Sequence, residues 1–250
     1  MKLTILGSGT NRVSIKRSAP AYLLEVSGKN ILIDTGAGCA RQLLRAGKHI
    51  LDIDAILYTH FHKDHYLDLP VILNELKHQI AYPEFGEYPK KKVKKIKIYG
   101  PSGVKKIVAQ WNINIPMEVK TINKREFNLF GTRVKSNSLK HIGEIIGYRI
   151  SEKGKTFVFT SDSKYCKKSV ELASKADVLL HSVGLSKRYG AQEVHPTPGQ
   201  AGMVAQEAMV KKLVLTHFYP AADKRNNKKD VKKFYKGKLI LGEDLMKIKI

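Results

Sequence analysis

The sequence predicts a layered α/β sandwich built around two sheets. Short apolar runs of strand length alternate with helix-like stretches along the chain, and each is bounded by Gly, Pro, Asn or Asp. Twelve runs have the pattern of strands, which is more than one sheet usually holds, so two sheets are expected. Because no linker, repeat or low-complexity segment divides the sequence, we expect residues 1–250 to form one domain.

The predicted strands are short and rich in Val, Ile, Leu and aromatic residues, a composition typical of strands buried in a sheet. They cover residues 3–6, 22–26, 31–34, 55–59, 96–99, 117–122, 132–138, 145–150, 156–160, 178–181, 213–216 and 239–241.

The predicted helices lie between these strands, where apolar residues recur at helical spacing. They cover residues 39–46, 67–76, 103–112, 167–174, 197–209 and 228–234. The fifth begins with Thr197, whose side chain suits a capping position, followed by Pro198, which fits the first helical turn. Strands alternating with helices favour helices packed in layers on sheets.

The charge of the chain is strongly positive. Lys and Arg number 45 against 22 Asp and Glu, which gives a formal net charge of +23, and 42% hydrophobic residues exclude general disorder. A lysine-rich composition can arise without any partner, or it can indicate binding of phosphates. Two clusters favour nucleic acid as the partner. They contain Lys90, Lys91, Lys92, Lys94 and Lys95, and then Lys228, Lys229, Lys232 and Lys233.

Neither a membrane nor a disulfide framework is expected. No stretch approaches the roughly 20 consecutive apolar residues of a membrane span, and Gly7 interrupts the amino-terminal run before a signal-peptide core could form. We therefore expect a cytoplasmic protein. Because Cys39 and Cys166 are the only cysteines, a metal ion here would have to be held by His and carboxylate groups.

A dense group of potential metal ligands follows the predicted strand at 55–59. The sequence of residues 60–65 is His-Phe-His-Lys-Asp-His, and the carboxyl end of a strand is a common place for a site. His60 and His62 can project to one side of an extended turn, while Asp64 and His65 turn toward a second point. A merely polar loop is disfavoured, because buried unpaired imidazoles cost free energy.

This loop resembles the HxHxDH motif of the metallo-β-lactamase superfamily, and the resemblance extends over nearly the whole chain. Residues 6–10, Leu-Gly-Ser-Gly-Thr, resemble its opening strand and turn. Residues 31–36, Ile-Leu-Ile-Asp-Thr-Gly, resemble its next motif, in which Asp34 would support the metal ligands from behind. The resemblance implies a four-layer αββα sandwich, with two mixed sheets flanked by helices.

The resemblance also implies a set of ligands, because His141, Asp162 and His217 match the remaining motifs in order. One metal ion would be held by His60, His62 and His141. A second would be held by Asp64, His65 and His217, with Asp162 between the two ions. Taken singly, His141, Asp162 and His217 could equally be a surface histidine, a helix cap and a histidine that closes a strand. We expect zinc, although manganese or iron would suit the same donors.

Within the superfamily the chain most resembles ribonuclease Z-like phosphodiesterases. Gly-Tyr-Arg at 147–149, His-Pro-Thr at 195–197 with the helix that follows, and the ending at 241–248 carry this similarity. The resemblance implies that His195 assists at the phosphate, by donating a proton to the leaving oxygen or a hydrogen bond to the developing oxyanion. The alternative is a histidine near a helix start with no catalytic role.

The chain departs from this family at two places. Ser182 follows His181 where the family has the glutamate of its His-Glu-Ala-Thr motif. Only twenty residues separate His141 from Asp162, which leaves no room for the arm that binds transfer RNA in typical ribonuclease Z. One of the two lysine clusters would have to replace that arm.

Three functions remain open from the sequence. The first is a dinuclear metal-dependent phosphodiesterase or ribonuclease, which cleaves RNA or other nucleic acid by attack of a hydroxide held between two ions and oriented by Asp64. The second is a small-molecule hydrolase of the same fold, acting on a cyclic phosphodiester, a sulfate ester or, promiscuously, a β-lactam. The third is a non-catalytic nucleic-acid-binding module. A homodimer is also expected, since dimers are common in the family.

Overall fold

Two seven-stranded sheets face each other in this computed structural model, which describes residues 1–85, 93–122, 126–184, 195–220 and 224–250. The first sheet contains β1 (Lys2–Gly7), β2 (Ala21–Val26), β3 (Lys29–Thr35), β4 (Ala55–Leu57), β5 (Ile96–Gly100), β6 (Met117–Thr121) and β14 (Lys247–Lys249), in the order β14-β1-β2-β3-β4-β5-β6. The second contains β7 (Glu126–Leu129), β8 (Thr132–Ser138), β9 (Ile146–Glu152), β10 (Lys155–Phe159), β11 (Val178–Ser182), β12 (Lys212–Thr216) and β13 (Lys238–Leu241), in the order β13-β12-β11-β10-β9-β8-β7.

Helices cover the outer faces of both sheets. They are α1 (Cys39–Arg45), α2 (Leu69–Ala81), α3 (Val104–Ala109), α4 (Lys167–Ala173), α5 (Pro198–Glu207) and α6 (Lys224–Lys232). The first three pack on the first sheet, and the last three on the second. This arrangement confirms the expected four layers, with two mixed sheets flanked by helices.

The strands read as continuous apolar runs because both of their faces are buried. In β2, Tyr22 and Leu24 point into the core between the sheets, whereas Leu23 points toward the helices on the outside. Side chains alternate from face to face along a strand, so a strand with a core on each side needs apolar residues at every position.

The parallel strands of both sheets end at one edge of the sandwich. β3, β4, β5 and β6 run parallel in the first sheet, and β10, β11, β12 and β13 run parallel in the second. The loops that leave the carboxyl ends of these strands therefore meet, which is where α/β proteins place ligand sites. We call this end the catalytic edge.

Two strands were absent from the sequence prediction. β7 and β14 are each an outermost strand of their sheet, and each has charged or polar residues alternating with one or two apolar ones. At a sheet edge one side of a strand is open to solvent, so such a strand lacks the apolar run that identifies a buried one. Of the helices in the described residues, none is long and apolar enough to cross a membrane.

A buried hydrogen bond joins the two sheets directly, and its removal should lower stability. The Tyr22 hydroxyl lies 3.1 Å from Thr216 Oγ1, and the Tyr22 ring meets the edge of Phe159 with centroids 4.9 Å apart. Tyr22→Phe keeps the ring but leaves the Thr216 hydroxyl without this partner, so we expect the free energy of unfolding to fall by about 1–2 kcal/mol in urea titrations.

The matched control is Tyr82→Phe, because Tyr82 is 56% exposed and its hydroxyl can be solvated in either state. Equal stability of the Tyr22→Phe protein and the wild type would show that the bond between the sheets contributes nothing.

Candidate metal centre

The loop after β4 brings four polar side chains to the catalytic edge. His60 follows the strand and is buried, and a 3₁₀ turn at Lys63–His65 then directs Asp64 and His65 back toward it. The turn lies so close to the end of β3 that a Cβ on Gly36 would fall 2.1 Å from the Asp64 carbonyl oxygen. Only glycine at position 36 leaves room for this approach.

The structure brings the seven residues expected to be ligands together, as two groups of three with Asp162 between them. His60, His62 and His141 form one, and Asp64, His65 and His217 form the other, with the potential ligand atoms of each group within 4.8 Å of one another. Asp162 lies between them: it groups at the same distance with His60 and His65, and also with His195 and His217. The geometry thus matches the two sets of three and the central aspartate of the superfamily pattern.

Hydrogen bonds behind the cluster orient its histidines. Asp34 accepts from the Thr59 backbone N–H, from the Thr59 hydroxyl and from His65 Nδ1, each at 2.8 Å. Thr59 Oγ1 also receives the Ser161 hydroxyl at 3.0 Å and lies 3.0 Å from His60 Nδ1. Since the Thr59 proton is given to Asp34, His60 Nδ1 is the donor in its contact, and Nε2 of His60 keeps a free lone pair.

Several backbone positions at the edge are in the left-handed region that most side chains avoid. Asp34, Ser161 and His217 have φ values of 57°, 50° and 64°. Such conformations cost free energy and concentrate at functional sites, where the surrounding structure maintains them. Asp34 lies near the end of β3 and supports His65, Ser161 directly precedes Asp162, and His217 is itself a candidate ligand.

The donor atoms of the cluster fit divalent metal ions. Buried polar atoms are nearly always hydrogen-bonded, yet eight atoms of this cluster have no hydrogen-bond partner among the described residues. They are His60 Nε2, His65 Nε2, His141 Nδ1, Asp162 Oδ1 and Oδ2, His195 Nδ1, and His217 Nδ1 and Nε2. Imidazole nitrogens and carboxylate oxygens converging without partners are what a bound cation would satisfy.

Burial and mutual charge set the protonation of the cluster. Burial lowers the pKa of His60 and lowers that of His141 to about 4. Burial disfavours the charge on Asp162, but His217 and His65 beside it hold the pKa of its carboxyl well below the usual range. For His65 itself, the effect of burial is outweighed chiefly by Asp162, which raises the pKa. His60 and His141 are therefore neutral and Asp162 ionised at neutral pH, as metal ligands must be.

His195 lies in the cluster beside Asp162 and His217. Its Nδ1 is 3.4 Å from Asp162 Oδ2, and the side chain is 16% exposed. Ser182, at the position of the family's glutamate, is buried and its Oγ has no hydrogen-bond partner in the described part of the chain. Tyr219, which the sequence analysis did not single out, packs its ring edge-on against His195 with centroids 5.8 Å apart.

A groove of about 860 Å³ opens beside the cluster. One wall is the loop after β1, with Arg12 and the fully exposed Val13, and the other includes Lys63, Asp64 and His195. The groove places three described cations, Arg12, Arg17 and Lys63, next to the candidate ligands. Their position in the sequence could have indicated them, since loops at the carboxyl ends of strands commonly carry function.

The lysine clusters do not lie beside this groove where the structure describes them. Lys94 pairs with Asp54 and Lys95 with Glu118, at the end of the sandwich where the parallel strands begin. Lys228, Lys229, Lys232 and Lys233 lie on or just after α6, in the outer helical layer. Lys90, Lys91 and Lys92 fall outside the described residues.

The interval between His141 and Asp162 holds no arm. β9 and β10 fill most of it and are joined by a tight turn at Lys153 and Gly154, both with positive φ. The short interval between the two residues therefore folds as a simple hairpin.

Comparisons with known proteins agree with this geometry. The model of the β-lactamase superfamily domain matches residues 29–218. Ribonuclease Z of Thermobifida fusca is 26% identical over 308 residues, covering 100% of this chain and 94% of the relative. That alignment is longer than this chain, so the relative carries segments that this chain lacks.

Two solved structures have the same fold. The metallo-β-lactamase fold protein YhfI from Bacillus subtilis superposes with a TM-score of 0.87 at 20% identity, covering 99% of this chain and 98% of that one. Human tRNase Z, short form, superposes with a TM-score of 0.78 at 25% identity, covering 100% and 99%.

Asp34→Asn should weaken metal binding without disturbing the backbone, because asparagine tolerates the left-handed conformation of this position. Its amide would replace the carboxylate that accepts from His65, so His65 would lose its fixed orientation. We expect zinc affinity, measured by competition with a chromophoric chelator, to fall about 10–100-fold. Asp54→Asn, a buried carboxylate at the far end of the strands, should leave the affinity unchanged. An equal loss in both variants would contradict the role of Asp34.

His181 should make the metal-free protein sensitive to acid. It is fully buried beside Thr160 Oγ1, and burial lowers its pKa to about 4. The unfolded chain takes up the proton near pH 6.5, so the stabilising difference is present above that pH and is lost as the pH falls toward 4. We expect this residue to account for a loss on the order of 3 kcal/mol.

The measurement is urea unfolding in chelator at pH 7, 5.5 and 4.5. His181→Gln can keep the contact to Thr160 without titrating, so its stability should fall less steeply with pH than that of the wild type. His78→Gln, at an exposed position on α2, should follow the wild type. If the free energy of unfolding fell equally with pH in all three proteins, His181 would not be the cause of the acid sensitivity.

Proposed function

The chain belongs to the β-lactamase superfamily, and from that premise we propose that it is a phosphodiesterase that cleaves RNA with two divalent metal ions. The observation that carries the proposal is the pair of three-residue groups at the catalytic edge, with Asp162 between them. Membership of the superfamily and the ribonuclease Z relatives make the protein a metal-dependent hydrolase.

The ligand atoms divide between the two ions. His60, His62 and His141 would hold the first ion, Asp64, His65 and His217 the second, and the buried carboxylate of Asp162 would contact both. Zinc suits these nitrogen and oxygen donors, and manganese and iron are the alternatives. When bound, such ions polarise a phosphoryl oxygen and activate water at neutral pH.

Asp64 and His195 would act on the reacting groups. The side chain of Asp64 is 11% exposed and lies 3.4 Å from His217 Nε2, so its free oxygen can accept a hydrogen bond from the attacking water. His195 lines the groove, where it can donate a proton to the departing oxygen of the ribose. Its Nδ1 lies 3.4 Å from Asp162 Oδ2, which helps to hold the ring in place.

Three features support RNA as the substrate class. The relative named above, ribonuclease Z of Thermobifida fusca, matches the whole chain. The groove beside the cluster is open and carries Arg12 and Lys63, which can contact phosphates on either side of the cleaved bond. The net charge of +23 favours a polyanion.

A second candidate is hydrolysis of a small cyclic phosphodiester. The tight hairpin between β9 and β10 favours it, because an enzyme without an arm has less surface on which to hold a folded RNA. Ser182 in place of the family's glutamate points the same way, since proton transfer must be arranged differently. A homodimer and a cytoplasmic location stay predictions.

The decisive experiment compares zinc-loaded wild type and Asp162→Asn on unstructured RNA, precursor transfer RNA and a cyclic phosphodiester. We expect metal-dependent RNA cleavage by the wild type and a loss of at least about a thousandfold in the variant, which lacks the central charge. Cleavage by the variant at the wild-type rate would contradict the role of Asp162. Turnover of the cyclic diester alone would replace the proposal by the second candidate.

His195→Ala tests the proton donor through the leaving group. RNA releases a poor leaving group that needs a proton, so kcat on RNA should fall about 10²–10⁴-fold. A nitrophenyl phosphodiester releases a stable anion and should lose less than tenfold. Tyr219→Phe, which keeps the ring beside His195, serves as the control. Equal losses on both substrates would make His195 a positioning residue.

A further inference from the structure

Lysines gather at the end of the sandwich opposite the catalytic edge, where the parallel strands begin. β12 and β13 start with Lys212 and Lys238, β1 starts with Lys2, and β14 ends with Lys249. A groove of about 770 Å³ lies at this end, which we call the basal groove, and its basic lining residues are Lys2, Lys29, Lys48, Lys247 and Lys249. We propose that the basal groove, extended by Lys212 and Lys238, is a second nucleic-acid-binding site, separate from the metal cluster.

Carboxylates at this end are too few to neutralise the lysines. Three of them each have two lysine ammonium groups within ion-pair distance. Glu25 is shared by Lys2 and Lys48, Asp54 by Lys29 and Lys94, and Asp177 by Lys155 and Lys211. Within the described ranges, no carboxylate is in ion-pair distance of Lys212, Lys238 or Lys249, so a strong positive potential remains.

The strand register places like charges directly beside each other. Lys2 lies opposite Lys249 in the pair β1–β14, and Lys212 lies beside Lys238 in the pair β12–β13. Like-charged cross-strand pairs destabilise the free protein. Burial lowers the pKa of Lys212, and the neighbouring Lys238 and Lys155 lower it further. Bound phosphates would remove this repulsion.

The lysines at this end form a continuous row across the two sheets. Lys212 Nζ on the second sheet donates a hydrogen bond of 2.9 Å to the carbonyl oxygen of Lys249 on the first. Neighbouring strands are about 4.8 Å apart, so charges on successive strands repeat at a spacing of the same order as phosphates along a nucleic-acid strand.

The chemistry of the groove favours nucleic acid over a membrane surface. Proteins that bind at a bilayer insert apolar side chains beside their lysines. Among the described residues, none of the large hydrophobic side chains exposed to solvent lines the basal groove.

The inference goes beyond the proposed hydrolysis, because binding needs no metal ion. Strands of five to seven residues separate the basal groove from the cluster by about 20 Å, so a dinucleotide cannot reach both. A long RNA could be held at one end while it is cleaved at the other.

The test is binding of a fluorescein-labelled 30-nucleotide RNA, followed by anisotropy at several salt concentrations in the presence of chelator. The variant carries Lys212→Gln, Lys238→Gln and Lys249→Gln together. Removing three phosphate contacts should reduce the slope of log affinity against log salt by about 2, and lower affinity at least tenfold at 0.1 M salt. Hydrolysis of a nitrophenyl phosphodiester by the zinc-loaded variant should match the wild type.

The matched control removes the same charge from α6 and the residue that follows it, with Lys228→Gln, Lys229→Gln and Lys233→Gln, and should retain both slope and affinity. An unchanged slope in the groove variant, or an equal loss in the control, would overturn the proposal. The proposal would also fail if the groove variant bound RNA normally but no longer bound phosphatidylserine vesicles, because the groove would then recognise a membrane surface. If the triple variant melts early, Lys249→Gln alone should still lower the slope by about 0.7.

Discussion

The buried negative charge of Asp162 is the constraint around which the catalytic edge is organised. An ionised carboxylate costs several kcal/mol to bury unless positive charge or strong hydrogen-bond donors surround it. His217, His65 and His195 approach it to within 3.2, 3.5 and 3.4 Å. Because its ligand atom lies within 4.8 Å of those of both His60 and His65, a change in the position of Asp162 would disturb both candidate metal positions at once.

Strands of both sheets bring side chains to Asp162. Asp162 follows β10, His217 follows β12, and the His60 loop follows β4 of the other sheet. These three elements meet only because their strands run in the same direction and end at one edge. Behind them, Thr59 connects Asp34, His60 and Ser161 in one hydrogen-bonded set, so ligands from the two sheets are held by a common support. Such support is what gives a metal site its fixed geometry.

A dense group of lysines lies at the opposite end of the sandwich from the metal cluster. At the catalytic edge, the basic residues that line the groove in the described part of the chain are Arg12, Arg17 and Lys63. At the opposite end, lysines outnumber carboxylates and lie in register on adjacent strands. A protein that cleaves a polyanion gains from this separation, since a substrate bound tightly at the reacting bond itself would be released slowly, whereas a distant contact raises its local concentration.

The amino-acid sequence by itself determined the fold and the identities of the candidate ligands. Continuous apolar strands specify layers with a core on each face. The potential ligands at residues 60–65 are close in the sequence, so they stay close together however the rest of the chain folds. Tertiary structure alone decided that β7 and β14 exist as edge strands, that Tyr219 packs against His195, and that Lys94 lies at the end away from the metal cluster. These facts depend on which strands pair and in which direction, and such pairing joins residues too far apart in the chain for local patterns to record.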